Sequence, residues 1–373
     1  MVEFRQLNAP LHRASTVLFP DTETFINRQG LLFDGFSYGL YGTPTIRTLE
    51  DQVAEIEGGV RSIAVPSGLA AVTHPLLALC VTGDHVLIAD CAYGPTRSFA
   101  KETLRKLGVE VEFFPSDAAS IKERLRPGTR AVVLESPGYY TMEMQEIGAI
   151  AAEAHAVGAL VLIDNSWGFG ASSMFAHGVD ICCTALSKYA SGAGDLCMGS
   201  ITVADEALFR TLKTFLANLG TGVSSDEAYL VMRGLSSMQV RVREHADRAL
   251  ELARWLSVHP AVSRVLSPPL DTDRYHERYT RFFRNGNGLL SVLLHETGIE
   301  PLRAMIDGLE HFRIGASWGS PHSLVSITEP AASREIDQWE RGRYLVRLHV
   351  GLEPFELLKE DLERGFERLT LKR

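Results

Sequence analysis

Two polar side chains stand directly after apolar, strand-sized segments of the chain. Asp164 follows the segment 159–163, and Lys188 follows the segment 181–186. A lysine at the mouth of a buried sheet is uncommon, because burying an ammonium group is costly unless its charge is paired or removed. An aspartate at a strand end is often only a turn residue or a helix cap, so the two residues together carry more information than either alone.

Together, Lys188 and Asp164 match the requirements of pyridoxal 5′-phosphate (PLP). This cofactor needs a lysine amine, which holds it as a Schiff base. It also needs a carboxylate that keeps its pyridine nitrogen protonated, so that the ring accepts electrons from the substrate. Two neighbouring strand ends place an amine and a carboxylate on opposite sides of one ring. The pair therefore predicts PLP chemistry.

Three further positions are candidates for holding such a cofactor. Small residues around Gly68 and Leu69 open a predicted helix, and the exposed amides at a helix N-terminus attract phosphate. A glycine turn before a helix more often only ends one element and begins the next. It indicates a phosphate site here only because the aspartate and the lysine are also present. Ser187 offers a hydroxyl to the same phosphate. Tyr93, in a loop after a strand, is either a half-buried tyrosine or a ring that stacks on the cofactor.

The elements that must position these residues alternate along the chain. Continuous apolar strands separated by helices indicate a mostly parallel sheet covered on both faces, and ligands bind at the carboxyl ends of such strands. After about residue 205 helices dominate and strands become sparse, which predicts a smaller α+β domain. The predicted strands are 85–89, 109–114, 130–134, 159–163, 181–186, 199–203, 288–294 and 344–350; the main predicted helices are 48–56, 69–80, 96–107, 147–157, 242–256 and 356–368.

The composition is that of a globular protein with a large core. Of 373 residues, 45% are hydrophobic and 22% are charged, which suits two domains. A net charge of -9 at pH 7 argues against nucleic acid or an anionic membrane as the main partner. The first residues lack the pattern of a secretory signal, and no apolar run approaches the roughly 18 residues that span a membrane. We therefore expect a cytoplasmic protein.

The cysteines and histidines predict neither disulfides nor a metal site. An odd number of cysteines without a Cys-x-x-Cys pair indicates reduced thiols in a reducing compartment. The usual spacing of zinc ligands is missing, and the histidines form no recognisable cluster. The cysteines are Cys80, Cys91, Cys182, Cys183 and Cys197.

Short segments along nearly the whole chain resemble the cystathionine β-lyase branch of the Cys/Met-metabolism PLP enzymes. They occur in the family's order. The segments are YGLYGTPT (38–45), LEDQVAEIEGG (49–59), PSGLAAV (66–72), GDHVL (83–87), ESPG with TME (135–143), IDNSWG (163–168), LSKY (186–189), RGL (233–235), SWG (317–319) and RLHVGLE (347–353).

The resemblance implies a PLP-dependent transferase fold of type I. Such a chain has a mostly parallel seven-stranded sheet with helices on both faces, plus a smaller C-terminal α+β domain. Residues 1–42 would form an arm that contacts the neighbouring subunit, 43–235 the PLP-binding large domain, and 236–373 the small domain. The family also implies a homotetramer built as a dimer of dimers, with active sites shared between subunits.

The resemblance also assigns roles to single positions. The cofactor is implied to contact Lys188 as the Schiff-base lysine, Asp164 at the ring nitrogen, Tyr93 on the ring face, and Gly68, Leu69 and Ser187 at the phosphate. Tyr38 would reach the phosphate of the neighbouring subunit. Arg347 would clamp the substrate α-carboxylate, a contact suited to the guanidinium fork. Ser317, Trp318 and Tyr93 would line the same substrate pocket.

Four departures from the family pattern concern phosphate and substrate binding. Leu40 stands where the arm usually has a phosphate-binding arginine, and Ala185 where many relatives have a serine. The segment 191–195 replaces a Gly-His-Ser-Asp run. Residues 320–324 differ from the usual Glu-Ser pair beyond SWG, so we expect them to alter the pocket for the leaving group.

The resulting functional prediction is a PLP-dependent carbon–sulfur lyase that converts L-cystathionine to homocysteine, pyruvate and ammonia. The nearest alternatives are a carbon–sulfur lyase for another cysteine conjugate and the chemistry of cystathionine γ-lyase or γ-synthase. Trp318 argues against the γ-enzymes, which usually carry another residue there. A remote alternative is a non-catalytic, PLP-binding regulatory protein.

Overall fold

The apolar strands pair into two sheets in the computed structural model, which describes residues 7–296 and 298–369. The larger sheet has the order β1-β7-β6-β5-β4-β2-β3. Strands β2 to β6 run parallel to their neighbours within that group, whereas β7 is antiparallel to both β6 and β1. This confirms the predicted mostly parallel, seven-stranded sheet. Its strands are β1 (Arg61–Val65), β2 (His85–Ala89), β3 (Glu110–Phe114), β4 (Thr129–Glu135), β5 (Leu160–Asp164), β6 (Ile181–Thr184) and β7 (Gly199–Val203).

Helices cover both faces of this sheet. Alternate strand residues enter two separate apolar clusters: Val86 and Ile88 belong to one, and Leu87 belongs to the other. This alternation follows from the period of two along a strand, and it leaves the strand ends as the places where polar side chains meet a cavity. The helices of this part of the chain are α1 (Thr22–Ile26), α2 (Pro44–Glu57), α3 (Gly68–Leu79), α4 (Gly94–Phe99), α5 (Ile147–Ala156), α6 (Glu206–Leu219) and α7 (Ser225–Ser257).

The second sheet forms the predicted smaller α+β unit. Its order is β10-β11-β12-β9-β8, and apolar residues of this sheet, of α7 and of two further helices share a third buried cluster. The predicted boundary at residues 235/236 falls within α7 and stays a prediction. The elements of this part are β8 (Val262–Leu266), α8 (His276–Phe282), β9 (Leu289–Leu294), α9 (Ile299–Ile306), β10 (Arg313–Ile314), β11 (Leu324–Thr328), β12 (Leu345–His349) and α10 (Phe355–Leu369).

Some local features differ from the sequence prediction. The first forty residues include the short helix α1, capped by the Asp21 side chain, which accepts a hydrogen bond from the backbone N–H of Thr24. The predicted helix 96–107 is α4 followed by one π-helical and one 3₁₀ segment.

All cysteines are free; Cys91, Cys182 and Cys183 are buried, whereas Cys197 is exposed. Among the described residues, no helix has the length and apolarity required to cross a membrane.

Candidate active site

A cavity of about 260 Å³ lies at the carboxyl ends of the parallel strands. It brings together most of the residues that the sequence singled out. The predicted residues that line it are Gly68, Leu69, Tyr93, Asp164, Ser187, Lys188, Trp318 and Arg347. These residues come from both halves of the chain, so the cavity lies between the larger sheet and the second, smaller one.

Lys188 projects into this cavity from the turn that follows β6. Its Nζ donates a 2.7 Å hydrogen bond to the Ser317 hydroxyl and lies 5.4 Å from the centroid of the Trp318 ring. Burial is the main cause that lowers the pKa of Lys188 to about 8, and the positive charge of Arg347 acts in the same direction. A substantial fraction of this amine is therefore neutral near pH 7.5, unlike an ordinary lysine.

The turn that carries Ser317 and Trp318 packs directly on the backbone of the lysine. Gly319 has a φ of +93°, and a Cβ at this position would lie 2.7 Å from the carbonyl carbon of Lys188. A side chain at residue 319 would therefore push this turn away from the lysine. The glycine explains how two residues distant in sequence reach the Nζ atom.

Asp164 and Glu135 lie side by side on the cavity floor. They end the neighbouring strands β5 and β4 and are paired in register. Burial raises the pKa of both carboxyls; the charge of Asp164 raises that of Glu135 further, whereas a hydrogen bond from the Ser166 backbone N–H holds that of Asp164 down. Of the two carboxyls, Glu135 therefore holds its proton more readily than Asp164 does. Glu135 also accepts a 2.6 Å hydrogen bond from the backbone N–H of Tyr93 and so fixes the tyrosine loop.

The N-terminus of α3 forms another wall of the cavity. Ser67 caps the helix through a hydrogen bond from the Ala70 backbone N–H to its hydroxyl, at 3.1 Å. A Cβ on Gly68 would lie 2.5 Å from the Cβ of Ala185, so only glycine allows this close approach. The first amides of the helix thus face the cavity close to the segment 185–188, in the way that anion sites at helix N-termini are built.

Arg347 projects into the cavity from β12. The residue is 2% exposed, and its guanidinium donates a 3.1 Å hydrogen bond to the backbone carbonyl of Ala316. Within the described part of the chain it has no carboxylate partner at ion-pair distance. A buried guanidinium with unused N–H donors is suited to a carboxylate ligand.

Of the predicted site residues, Ser317 and Tyr38 are not among those that line this cavity. Ser317 still contacts the Lys188 Nζ atom, whereas Tyr38 lies apart from the site. It is 46% exposed and lines a separate cavity together with Phe25 and Tyr41. Its predicted contact belongs to the active site of a neighbouring subunit, so it stays a prediction.

Residues 320–324, which we expected to alter the leaving-group pocket, are not among those that line the cavity. The Ser320 carbonyl lies 3.0 Å from the His349 Nε2 atom, and the Ser323 hydroxyl donates to Glu353 at 2.8 Å. This segment therefore packs against the end of β12 and the residues after it, and its expected effect on the leaving-group pocket stays a prediction.

The cavity also contains residues whose roles the sequence analysis did not identify. Tyr139, Tyr140 and Glu135 line it, as does the exposed thiol of Cys197. The segment 135–138 was matched to the family only as a motif. Two tyrosines in succession directly after that motif were the available signal, since aromatic rings next to strand-end loops are typical of binding sites.

A buried carboxyl group connects the strand ends behind the site. Glu57, at the end of α2, accepts hydrogen bonds from the Thr184 hydroxyl at 2.5 Å and from the Asn165 amide at 2.8 Å. Asn165 directly follows β5, which ends at Asp164, and Thr184 ends β6, the strand that precedes Lys188. Burial raises the pKa of Glu57 to about 7, and the charge of Asp164 acts in the same direction.

Glu57→Gln is expected to remove a pH dependence of stability. The folded-state pKa of Glu57 is raised from 4.5 to about 7, so its contribution is fully present below pH 4.5 and is lost as the pH rises through about 7. Between pH 5 and pH 8 the wild type should therefore lose about 2–3 kcal/mol of unfolding free energy relative to the variant. Thermal unfolding of both proteins at the two pH values measures this difference. Glu55→Gln, at an exposed position of the same helix, should unfold in parallel with the wild type at both.

If the difference in melting temperature between wild type and Glu57→Gln is the same at pH 5 and pH 8, Glu57 does not titrate in this range. The glutamine can keep both contacts, because its carbonyl accepts from Asn165 while its amide donates to the Thr184 hydroxyl. A loss of stability at both pH values would therefore indicate a packing effect and contradict the electrostatic one.

The side chains of the cavity fit pyridoxal 5′-phosphate. Lys188 offers an amine that is partly neutral at physiological pH, and the buried Asp164 carboxylate suits a protonated ring nitrogen. The close approach that Gly68 allows brings the helix N-terminus to the cavity, and Ser187, which also lines it, carries a hydroxyl. Amine, carboxylate and anion site thus occur in one cavity, as this cofactor requires.

Comparison with known proteins identifies a family whose model matches nearly the whole chain. A family model described as Cys/Met metabolism PLP-dependent enzyme matches residues 2–367. A putative cystathionine beta-lyase of Rhizobium johnstonii is 39% identical, over 96% of this chain and 91% of its own length. Cystathionine beta-lyase MetC of Escherichia coli is 36% identical, over 98% of this chain and 94% of its own. The crystal structure of metB from Corynebacterium glutamicum superimposes with a TM-score of 0.89 at 26% identity and covers 98% of this chain and 94% of that one.

Proposed function

Since the chain belongs to the Cys/Met metabolism PLP-dependent enzymes, we propose that it is a carbon–sulfur β-lyase that cleaves L-cystathionine to homocysteine, pyruvate and ammonia. The observation that carries this proposal is the cavity that holds the Lys188 amine, the Asp164 carboxylate and the Arg347 guanidinium together. Trp318 at its wall supports a β-lyase over the related γ-enzymes. The function predicted from the sequence agrees with the two cystathionine beta-lyases compared above.

Pyridoxal phosphate, when bound, supplies a covalent link for an amine and a ring that withdraws electrons from the substrate Cα. Lys188 and Asp164 would hold it at its two ends, with Gly68, Leu69 and Ser187 at the phosphate. Asp164 would place its carboxylate beside the ring nitrogen and so favour the protonated form of that nitrogen.

Lys188 is the proton acceptor at Cα. With its pKa lowered to about 8, the amine is available as a base near neutral pH, and the Ser317 hydroxyl holds its Nζ at 2.7 Å. Arg347 binds the α-carboxylate and thereby fixes the Cα–H bond relative to Nζ. Loss of the Cα proton and cleavage of the Cβ–S bond release the thiolate of homocysteine. One water then completes the products pyruvate and ammonia.

A second candidate is a carbon–sulfur lyase for a cysteine conjugate with an uncharged leaving group. Cystathionine carries two carboxylates, whereas Lys188 and Arg347 are the only cations among the described residues that line the cavity. Tyr139, Tyr140 and Trp318 supply mostly apolar surface there. A small neutral thiol would suit these walls without a second cation.

Product analysis with L-cystathionine tests the proposal. The PLP-loaded protein should release pyruvate and homocysteine in equal amounts, each identified by chromatography with mass detection. Cysteine with 2-oxobutyrate would show that the γ-bond is cut and would overturn the assignment. Pyruvate from S-methyl-L-cysteine, with L-cystathionine left intact, would favour the second candidate.

We further propose a homotetramer in the cytoplasm. The exposed position of Tyr38 outside the cavity of its own chain supports a contact with a neighbouring subunit. The free cysteines support a reducing compartment. Sedimentation velocity of the PLP-loaded protein distinguishes a tetramer of 41.1 kDa chains from a dimer.

A further inference from the structure

Three tyrosine rings form a row along one wall of the cavity. The ring centroids of Tyr93 and Tyr139 are 4.9 Å apart, and those of Tyr139 and Tyr140 are 4.5 Å apart, both edge to face. Such a geometry stabilises aromatic pairs beyond their buried area. The row therefore gives a fixed surface that leads from the loop after β2 toward β12.

The row ends on the guanidinium of Arg347. The Arg347 Cζ atom lies 4.3 Å from the ring centroid of Tyr140 and 5.3 Å from that of Tyr139. At these distances a cation is attracted to the ring face, and burial strengthens the attraction because water does not screen it. Both rings thus hold the guanidinium from one side. Among the described residues, the Ala316 carbonyl is the one hydrogen-bond acceptor of this guanidinium.

The backbone of Tyr140 is strained in order to place its ring there. Its φ is +65°, a left-handed conformation that costs a non-glycine residue about 1–2 kcal/mol. Such residues persist only where their surroundings hold them, and they cluster at functional sites. Here the Gly138 N–H donates to the Glu143 carbonyl at 2.8 Å, and the Met142 N–H donates to the Gly138 carbonyl at 3.0 Å.

A side chain from the second half of the molecule also holds this loop. Arg334 donates to the Thr141 hydroxyl, to the Tyr139 carbonyl at 3.4 Å, and to the Asp90 carbonyl just before the Tyr93 loop. The position of the tyrosine row is therefore set from both sides and is not a free surface loop. The strained backbone of Tyr140 places its ring in contact with the guanidinium of Arg347.

We propose that Tyr140 is a positioning residue that fixes Arg347 for the substrate α-carboxylate. The inference rests on the proposed role of Arg347 as the carboxylate clamp. Arg347 has a flexible side chain, and its guanidinium donates a hydrogen bond to the backbone carbonyl of Ala316. Without the ring the guanidinium gains rotational freedom, so binding a carboxylate requires ordering it again. Tyr140 removes that cost before the substrate arrives.

Binding of L-alanine to the PLP-loaded enzyme tests this role. L-alanine has the amine and the carboxylate of the substrate but no leaving group, so the result does not depend on which thioether is cleaved. Tyr140→Leu should raise its dissociation constant about 5- to 30-fold, the size of a buried cation–π contact. Tyr140→Phe, which keeps the ring, should stay within about twofold of the wild type. Binding of L-alaninamide, which lacks the carboxylate, should be equal in all three proteins.

If L-cystathionine is the substrate, the same variants should change KM and kcat to different extents. Tyr140→Leu should raise KM while kcat stays within about threefold, because the contact acts equally on the bound substrate and its transition state. Tyr140→Gly relieves the left-handed strain and should show the same weakening in a protein that folds at least as well. Unchanged L-alanine binding in the leucine and glycine variants would overturn the proposal, as would equal weakening for L-alanine and L-alaninamide.

Discussion

Lys188→Ala is expected to lower kcat for cleavage of L-cystathionine by about 10⁴-fold, the upper end of what a positioned general base contributes. The amine lies in the cavity with its pKa lowered to about 8, so it accepts a proton near neutral pH. The loss should reach the upper end because the same amine is proposed to hold the cofactor. The rate of pyruvate release at saturating substrate measures the effect.

A second substitution at this position separates charge from basicity. Lys188→Arg keeps a cation in the cavity, but a guanidinium does not lose its proton in a protein. It should therefore be as inactive as the alanine variant. Lys106→Ala changes an exposed lysine and should retain full activity. Activity of either Lys188 variant above about a tenth of the wild type would contradict the role of Lys188 as proton acceptor.

The sequence predicted the part of the site that strand ends position. Asp164 and Lys188 follow apolar segments whose burial is easy to recognise, and parallel strands bring their carboxyl ends to one edge. The local sequence pattern was therefore enough to predict Asp164, Lys188 and the helix N-terminus at Gly68 as parts of the site. The structure places all three in one cavity.

The opposite wall could not be derived from local pattern. Ser317 and Lys188 are far apart along the chain, and Arg347 looks in sequence like an ordinary strand-end charge. Their meeting depends on the second sheet and on the close approach of Gly319 to Lys188, both of which are tertiary features. The resemblance to a family identified these residues; spacing and periodicity did not. Tyr140 was missed because its position depends on a left-handed backbone that no propensity predicts.

The fold shows the same division between local and tertiary information. The strands of the larger sheet were predicted within one or two residues, except that β1 was missed. Helix α7 was expected only over 242–256 but begins at Ser225. Its first half carries many exposed side chains, so its apolar period is weak there. The short strands β10 and β11 contain few buried residues. They are defined by the pairing of β10 with β11 and of β11 with β12.

Asp164→Asn tests the other end of the cofactor site. The variant keeps the hydrogen bond from the Ser166 backbone N–H, because the amide oxygen replaces the Oδ1 acceptor at 3.0 Å. It removes the negative charge, and a neutral amide does not hold a proton on a ring nitrogen. We expect kcat to fall about 10²- to 10³-fold, the usual result of removing one preorganised electrostatic group.

The neighbouring carboxyl group of Glu135 makes this expectation more specific. Glu135 lies beside Asp164, and its pKa is raised by burial and by the charge of Asp164. In the asparagine variant that charge is gone, so Glu135 ionises more easily and can restore part of the effect. Asp164→Asn with Glu135→Gln should therefore lose more activity than the product of the two single losses predicts. Asp180→Asn, before the amino end of β6, should leave kcat unchanged. An unaffected rate in Asp164→Asn would show that the charge at this position does not assist removal of the Cα proton.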